Sequence, residues 1–275
     1  MMLIGGVIAA AALLLVIFLI IANQPAEAPI PENAVSRYEG IEQGTTVEGY
    51  PRLGPADAPV QVAEYSSFDC TACRAFHEEA MDGLIERLRG GNMSLTFVPL
   101  YGTGSVTNGE GAARAALCAA EQGAFWPFND ALFSWQGVYG NQAFTSNRIR
   151  TGAEALGLDW GAFDACVRAG VPNDALFTAR SQASSLLNFF GTPTVAINGV
   201  VPVNAEGAPA SGATAILEAI DQRLAQVSTG GSFLDSTAEP QPAEVTAEPE
   251  PTAEAELTAE PEAEVTAEAT AEAGS

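Results

Sequence analysis

The sequence predicts an α/β domain interrupted by a helical block, preceded by one transmembrane helix and followed by a disordered acidic tail. Three observations predict it. Between residues 59 and 226 the hydrophobic periodicity runs β-α-β, then a block of helices, then α-β-β-α. Met1 to Ala22 is an unbroken run of apolar residues and glycine. Beyond residue 227 the chain repeats Thr-Ala-Glu six times.

At 1.5 Å per residue the apolar run spans about 33 Å as a helix, enough to cross a hydrocarbon core. It is longer than the apolar stretch of a signal peptide and has no basic residue before it, so it reads as an uncleaved anchor over residues 1–22. Ala26-Glu27-Ala28 fits a small-x-small cleavage site and keeps a secreted form as the alternative. No Cys lies near the run, which excludes lipid attachment there. With only a stub before the anchor, the folded part is expected on the extracytoplasmic side. Residues 23–58, rich in Pro, Glu, Ala and Gly, read as a linker with a short strand near Thr45–Glu48.

The domain opens with Val60–Tyr65, a β-rich run after Pro59. Asp69 stands at a helix start with Cys70 and Cys73 just inside. Phe76, Ala80, Leu84, Ile85 and Leu88 continue at helical spacing, and Gly90-Gly91 stops the helix. Leu95–Leu100 is a second strand, and a Gly-rich loop follows over residues 102–111. That loop sits where phosphate-binding loops sit, but Gly102-x-Gly104 lacks the third glycine and no Gly-Lys-Ser/Thr follows.

Helical patterns cover about 109–122, 126–136, 146–157, 160–169 and 174–190, an inserted block spanning about 105–190. Strand Val195–Ile197, the turn Asn198-Gly199, a returning strand Val200–Val203 and a helix at about 211–227 end the domain. Residues 227–275 combine charge, recurrent Pro and few aromatics, so they are expected to stay disordered as a solvating spacer rather than a partner-binding arm.

The formal net charge is −23, from 34 acidic residues against 11 basic ones, all Arg. Such a chain repels phosphate backbones, which excludes nucleic acid as a partner. With no Lys, Schiff-base chemistry is excluded, and any triad or multi-His metal site rests on His77 alone.

Cys70-Thr71-Ala72-Cys73 carries the chemistry. A C-x-x-C at a helix start places the first sulfur at free backbone N–H groups and the positive end of the helix dipole, which favours a thiolate. The second lies one turn on and can close a disulfide with the first. A zinc site needs four ligands, and Cys118, Cys166 and His77 do not complete a set. A structural disulfide across two residues closes too small a loop to stabilise much. Cys118 and Cys166 stand 48 positions apart on separate helices. They either pair, which suits an oxidising compartment, or remain as two buried thiols.

With these residues in view, the chain resembles the DsbA-like thiol:disulfide oxidoreductases, a thioredoxin-like fold with an inserted helical block. The resemblance covers residues 54–226. It rests on Asp57-Ala58-Pro59-Val60, Phe68-x-Cys70-x-x-Cys73-Arg74, Phe76-His77, Ala115-Ala116-x-Cys118-Ala119, Phe125-Trp126-x-Phe128 and Gly191-Thr192-Pro193-Thr194 with Asn198-Gly199. It implies that Cys70 is the exposed nucleophile and Cys73 the resolving thiol. Pro193 matches a cis-proline whose preceding residue, Thr192, pairs with substrate backbone. Glu64 matches a buried acid that moves a proton at the resolving thiol. His77, on the helix face of both cysteines, could tune the thiolate or simply pack. The Thr71-Ala72 dipeptide departs from the Pro-His of strongly oxidising members, so a less oxidising couple is expected.

The leading expectation is an extracytoplasmic oxidase that introduces disulfides into exported proteins without an organic cofactor or metal. By family analogy a quinone-linked membrane partner reoxidises it. A reductase or isomerase on the same fold is the alternative. A non-catalytic copper-delivery or holdase module is the third, disfavoured because only His77 and Met81 lie near the thiols.

Overall fold

The computed structural model describes residues 26–229, together with 13–15 and 17. Among them, β1 (Gln43–Thr45), β2 (Pro51–Leu53), β3 (Val60–Ser67), β4 (Met93–Leu100) and β5 (Thr194–Ile197) form one sheet in the order β1-β2-β4-β3-β5. The central pair β3 and β4 is parallel, with Val60 opposite Met93 and Ser67 opposite Leu100. Parallel neighbours need a crossover, and α1 (Thr71–Leu88) supplies it. Both strands are buried over most of their length, as expected of a parallel pair covered on its two faces. β5 lies antiparallel on the other side of β3, Tyr65 opposite Thr194.

Between β4 and β5 the chain makes the helical block: α2 (Gly109–Ala120), α3 (Phe125–Tyr139), α4 (Ser146–Ala155), α5 (Trp160–Ala169) and α6 (Asn173–Ser185). A last helix, α7 (Ala213–Ser228), packs on α1 and β3. The core under the cysteines is aromatic. Phe68, fully buried at the end of β3, stacks on Phe97 at 5.5 Å and meets Phe133 at 5.0 Å and Phe144 at 6.5 Å. These contacts lock the strand end that carries the cysteines to the helical block.

Two expectations are corrected. Residues 26–58 are not a linker: they contain β1 and β2, and Tyr38, Ile41, Tyr50 and Leu53 are buried. The Trp135 indole donates to the Pro29 carbonyl at 2.7 Å, and Arg148 Nε donates to the Glu27 carbonyl at 2.6 Å. Strands of three residues are too short to show a period, so the segment's composition masked its packing. Nor is Val200–Val203 a strand: Val200 and Val203 form only isolated bridges, to Ile197 and Pro209. Pro202 lacks the N–H that a ladder requires. The turn itself is present, with Asn198 and Gly199 both at positive φ.

Among the described residues no helix is long and apolar enough to cross a membrane. The anchor expected over residues 1–22 lies, apart from 13–15 and 17, outside the described residues, as does the acidic tail from residue 230 onward.

Candidate active site at Cys70 and Cys73

Cys70 is the N-cap of α1, with extended backbone at φ −96° and ψ 118°. Its sulfur accepts the Cys73 backbone N–H at 3.4 Å, taking the place a Ser or Asp oxygen holds in an ordinary cap. The Thr192 carbonyl lies 3.3 Å from the same sulfur. Cys73, one turn in, is fully buried and accepts the Ser67 N–H at 3.4 Å. Both are free thiols, and both are buried: Cys70 is 7% exposed rather than the exposed sulfur the resemblance implies, because the Thr192 carbonyl and the Gly104 backbone lie against it.

The two sulfurs are electrostatically unlike. The Cys73 thiol, hydrogen-bonded to Cys70, is the largest influence on the latter and pulls it down from 9.0 to about 5 against the opposing cost of burial. The Thr192 side chain and the N–H groups of Cys73 and Ala72 add to that pull. Burial pushes Cys73 far up, and the neighbouring Cys70 pushes it further. At neutral pH the pair therefore holds one negative charge, centred on Cys70.

The other residues singled out in the sequence are placed as follows. The Thr192–Pro193 peptide is cis, and it leads from the carbonyl beside Cys70 into β5. Glu64, in the middle of β3, is 1% exposed, and its Oε1 has no hydrogen-bond partner. Burial raises its pKa, against smaller opposing effects of His77 and Ser66. The His77 ring is buried against α3, with Nε2 2.8 Å from Asp130 Oδ1 and its face 4.8 Å from Phe133. Asp130 also accepts from the Tyr38 hydroxyl at 2.7 Å and pairs with Arg37 at 3.3 Å. His77 thus joins α1 to α3 and to the N-terminal segment. Cys118 of α2 and Cys166 of α5 form a disulfide.

Sequence reasoning passed over several residues at the site. Gln136 of α3 donates to the carbonyls of Phe68 and Cys70 at 2.5 and 3.1 Å, holding the turn before α1. Asp69, read only as a helix start, is buried. It accepts from the backbone N–H of Gly102 at 2.6 Å, the N–H of Gly104 at 2.9 Å and the Ser67 hydroxyl at 2.6 Å. The glycines are required there. A Cβ on Gly104 would lie 1.9 Å from the Asp69 carbonyl oxygen, and one on Gly109 2.3 Å from Asp69 Oδ2. The Gly-rich loop does receive an anion, but the anion is this chain's own carboxylate. An acid directly before a C-x-x-C, with a Gly-x-Gly after the next strand, was the available signal.

The family described as Thioredoxin matches residues 46–217. The chain belongs to this family. In this chain the helical block lies between β4 and β5. This thioredoxin-family chain is 24% identical to disulfide bond formation protein D of Bacillus subtilis, over 60% of its own length and 75% of the relative's. It is 34% identical to Na(+)/H(+) antiporter NhaA 3 of Salinispora tropica over 53% of its length, but spans only 21% of that protein. MdbA, a thiol-disulfide oxidoreductase from Corynebacterium diphtheriae, superposes with TM-score 0.53 at 19% identity over 69% of this chain and 98% of that one. BdbD from Bacillus subtilis does so with TM-score 0.54 at 21% identity, over 67% and 98%.

Proposed function

We propose that this protein introduces disulfides into exported proteins on the extracytoplasmic side of the membrane, held there by residues 1–22 and reoxidised by a quinone-linked membrane partner. The observation that carries this reading is the asymmetry of the pair: Cys70 lowered to about 5, Cys73 buried and raised. A stabilised thiolate on Cys70 favours the reduced form, and so makes the disulfide form an oxidant. A substrate thiolate attacks Cys70 Sγ of the disulfide; the Cys70–Cys73 bond breaks, and its electron pair goes to Cys73. Cys73 then takes a proton, for which buried Glu64 is the proposed donor. A second substrate thiolate attacks the substrate sulfur of the mixed disulfide and releases Cys70 as its thiolate. Thr192, at the cis peptide before Pro193, is the proposed docking point for the extended substrate backbone. The relative named for disulfide bond formation supports the direction.

A value near 5 lies between those of thioredoxin (about 7) and DsbA (about 3.5). The reduction potential is therefore expected between about −270 and about −120 mV. Refolding of reduced ribonuclease tests the activity: the parent protein restores native disulfides, and Cys70→Ser does not. Equal activity of parent and variant would overturn the enzymatic reading and leave a holdase or copper-delivery role. The lack of an imidazole between the cysteines favours a second reading, a reductase or isomerase kept reduced by a membrane electron donor. Trapping the pair in cells decides: a disulfide supports the oxidase, a dithiol the reductase.

A further inference from the structure

Thr103 sits at the tip of the Gly102–Gly104 loop, exposed to solvent, yet its hydroxyl is committed on both sides. Its oxygen lies 2.7 Å from the Thr192 hydroxyl and 3.4 Å from Asp69 Oδ1. An ionised carboxylate only accepts hydrogen bonds, so Thr103 donates to Asp69 and receives the proton of Thr192. Asp69 is fixed in this role, because two backbone N–H groups and the Ser67 hydroxyl also point at it. Thr192 is the residue whose carbonyl touches Cys70. The Thr192 side chain also acts on the Cys70 sulfur, and its hydroxyl has a single hydrogen, for which that sulfur and Thr103 compete.

We infer that Thr103, oriented by Asp69, is a positioning residue for Cys70: it draws the Thr192 hydroxyl proton toward itself and away from the sulfur. The loop thereby weakens one donor available to the thiolate and makes the couple less oxidising than the sulfur's other surroundings alone dictate. No bond is made or broken; only the direction of two hydroxyl groups is set. The inference rests on Cys70 being the exchanging sulfur, which Cys70→Ser tests separately.

The prediction has a sign that a merely supporting role lacks. Thr103→Val removes the acceptor and frees the Thr192 proton for Cys70. The Cys70 thiolate absorbance should then titrate about half a unit lower, and the equilibrium with glutathione should move toward the reduced form by about threefold. Thr103→Ser keeps the hydroxyl and should match the parent. In a Thr192→Val background the change at residue 103 should have no effect. A loop that only supports the site would give a higher titration point or none, and either result overturns the inference. So does an undiminished shift in the Thr192→Val background. If Cys70→Ser retains exchange activity, the active-site assignment fails instead, whatever residue 103 does.

Discussion

Cys70 and Cys73 are three residues apart and have opposite fates because one caps the helix and the other is inside it. The Cys73 thiol is the largest stabiliser of the Cys70 thiolate. Cys73→Ala should therefore raise the Cys70 pKa by about one unit, read from the pH dependence of iodoacetamide alkylation. The pair also sets how the reduced protein's stability varies with pH. Cys70 is lowered from 9.0 to about 5, so its contribution is complete above pH 9 and is lost as pH falls through 5. Cys73 is raised above 9.0, so it subtracts stability only as pH rises beyond 9. Between pH 5 and 9 the reduced form should gain stability with pH, by up to about 1.4 kcal/mol per unit, in urea unfolding under reductant. Cys70→Ser should lack that slope. Glu64 works against it: raised above 4.5 by burial, it subtracts stability as pH rises past 4.5. Glu64→Gln should stabilise the fold at pH 7 by about 1 kcal/mol while slowing turnover. A variant as fast as the parent would remove Glu64 from the proton path.

At the scale of elements, the site is a junction of β3, α1, the loop after β4, α3 and the turn before β5. The sequence announced the parts of that junction unevenly. The strand–cysteine–helix order was legible because Val60–Tyr65 is rich in β-forming residues and Phe76–Leu88 repeats its apolar residues at a period of nearly four. The loop after β4 was seen, but its purpose was not, because the partner of Gly102 and Gly104 is 33 or more residues away in sequence. Gln136 was invisible for the same reason: it is an ordinary polar residue on a helix until Phe68 and Cys70 are folded beside it. The segment before β3 was misread because Tyr38 and Tyr50 are single anchors in a Pro- and Gly-rich stretch. Its contacts are with α3 and with Arg148 of α4, so it belongs to the domain rather than preceding it. Within the helical block the Cys118–Cys166 disulfide closes a loop with a sequence separation of 48. Replacing both cysteines by Ala should lower the unfolding free energy by about 4 kcal/mol on the chain-entropy account. It should leave the Cys70 titration in place, since α2 and α5 supply none of the groups that act on that sulfur.

Across the whole chain the charge of −23 is two properties rather than one. Residues 228–275 hold 12 of the 34 acidic residues and no Arg, which leaves −11 for residues 1–227. The chemistry at Cys70 draws on local donors, and the last described helix ends at Ser228. Removing residues 230–275 should therefore leave the melting temperature, the Cys70 pKa and the reduction potential unchanged. Encounter with substrate is different, because long-range fields act before contact and are screened over about 10 Å at 0.1 M salt. A tail of that charge repels acidic thiol peptides from the site and attracts basic ones. At about 0.02 M salt the truncated protein should oxidise an acidic peptide about threefold faster than the full chain, and a basic peptide correspondingly slower. An uncharged peptide should react equally with both proteins, and all the differences should close at about 0.5 M salt. Stopped-flow measurement of mixed-disulfide formation reads these rates directly. If the uncharged peptide also changes, or if the acidic gap persists at high salt, the tail acts by contact, and its Thr-Ala-Glu repeats are a binding segment rather than a source of field.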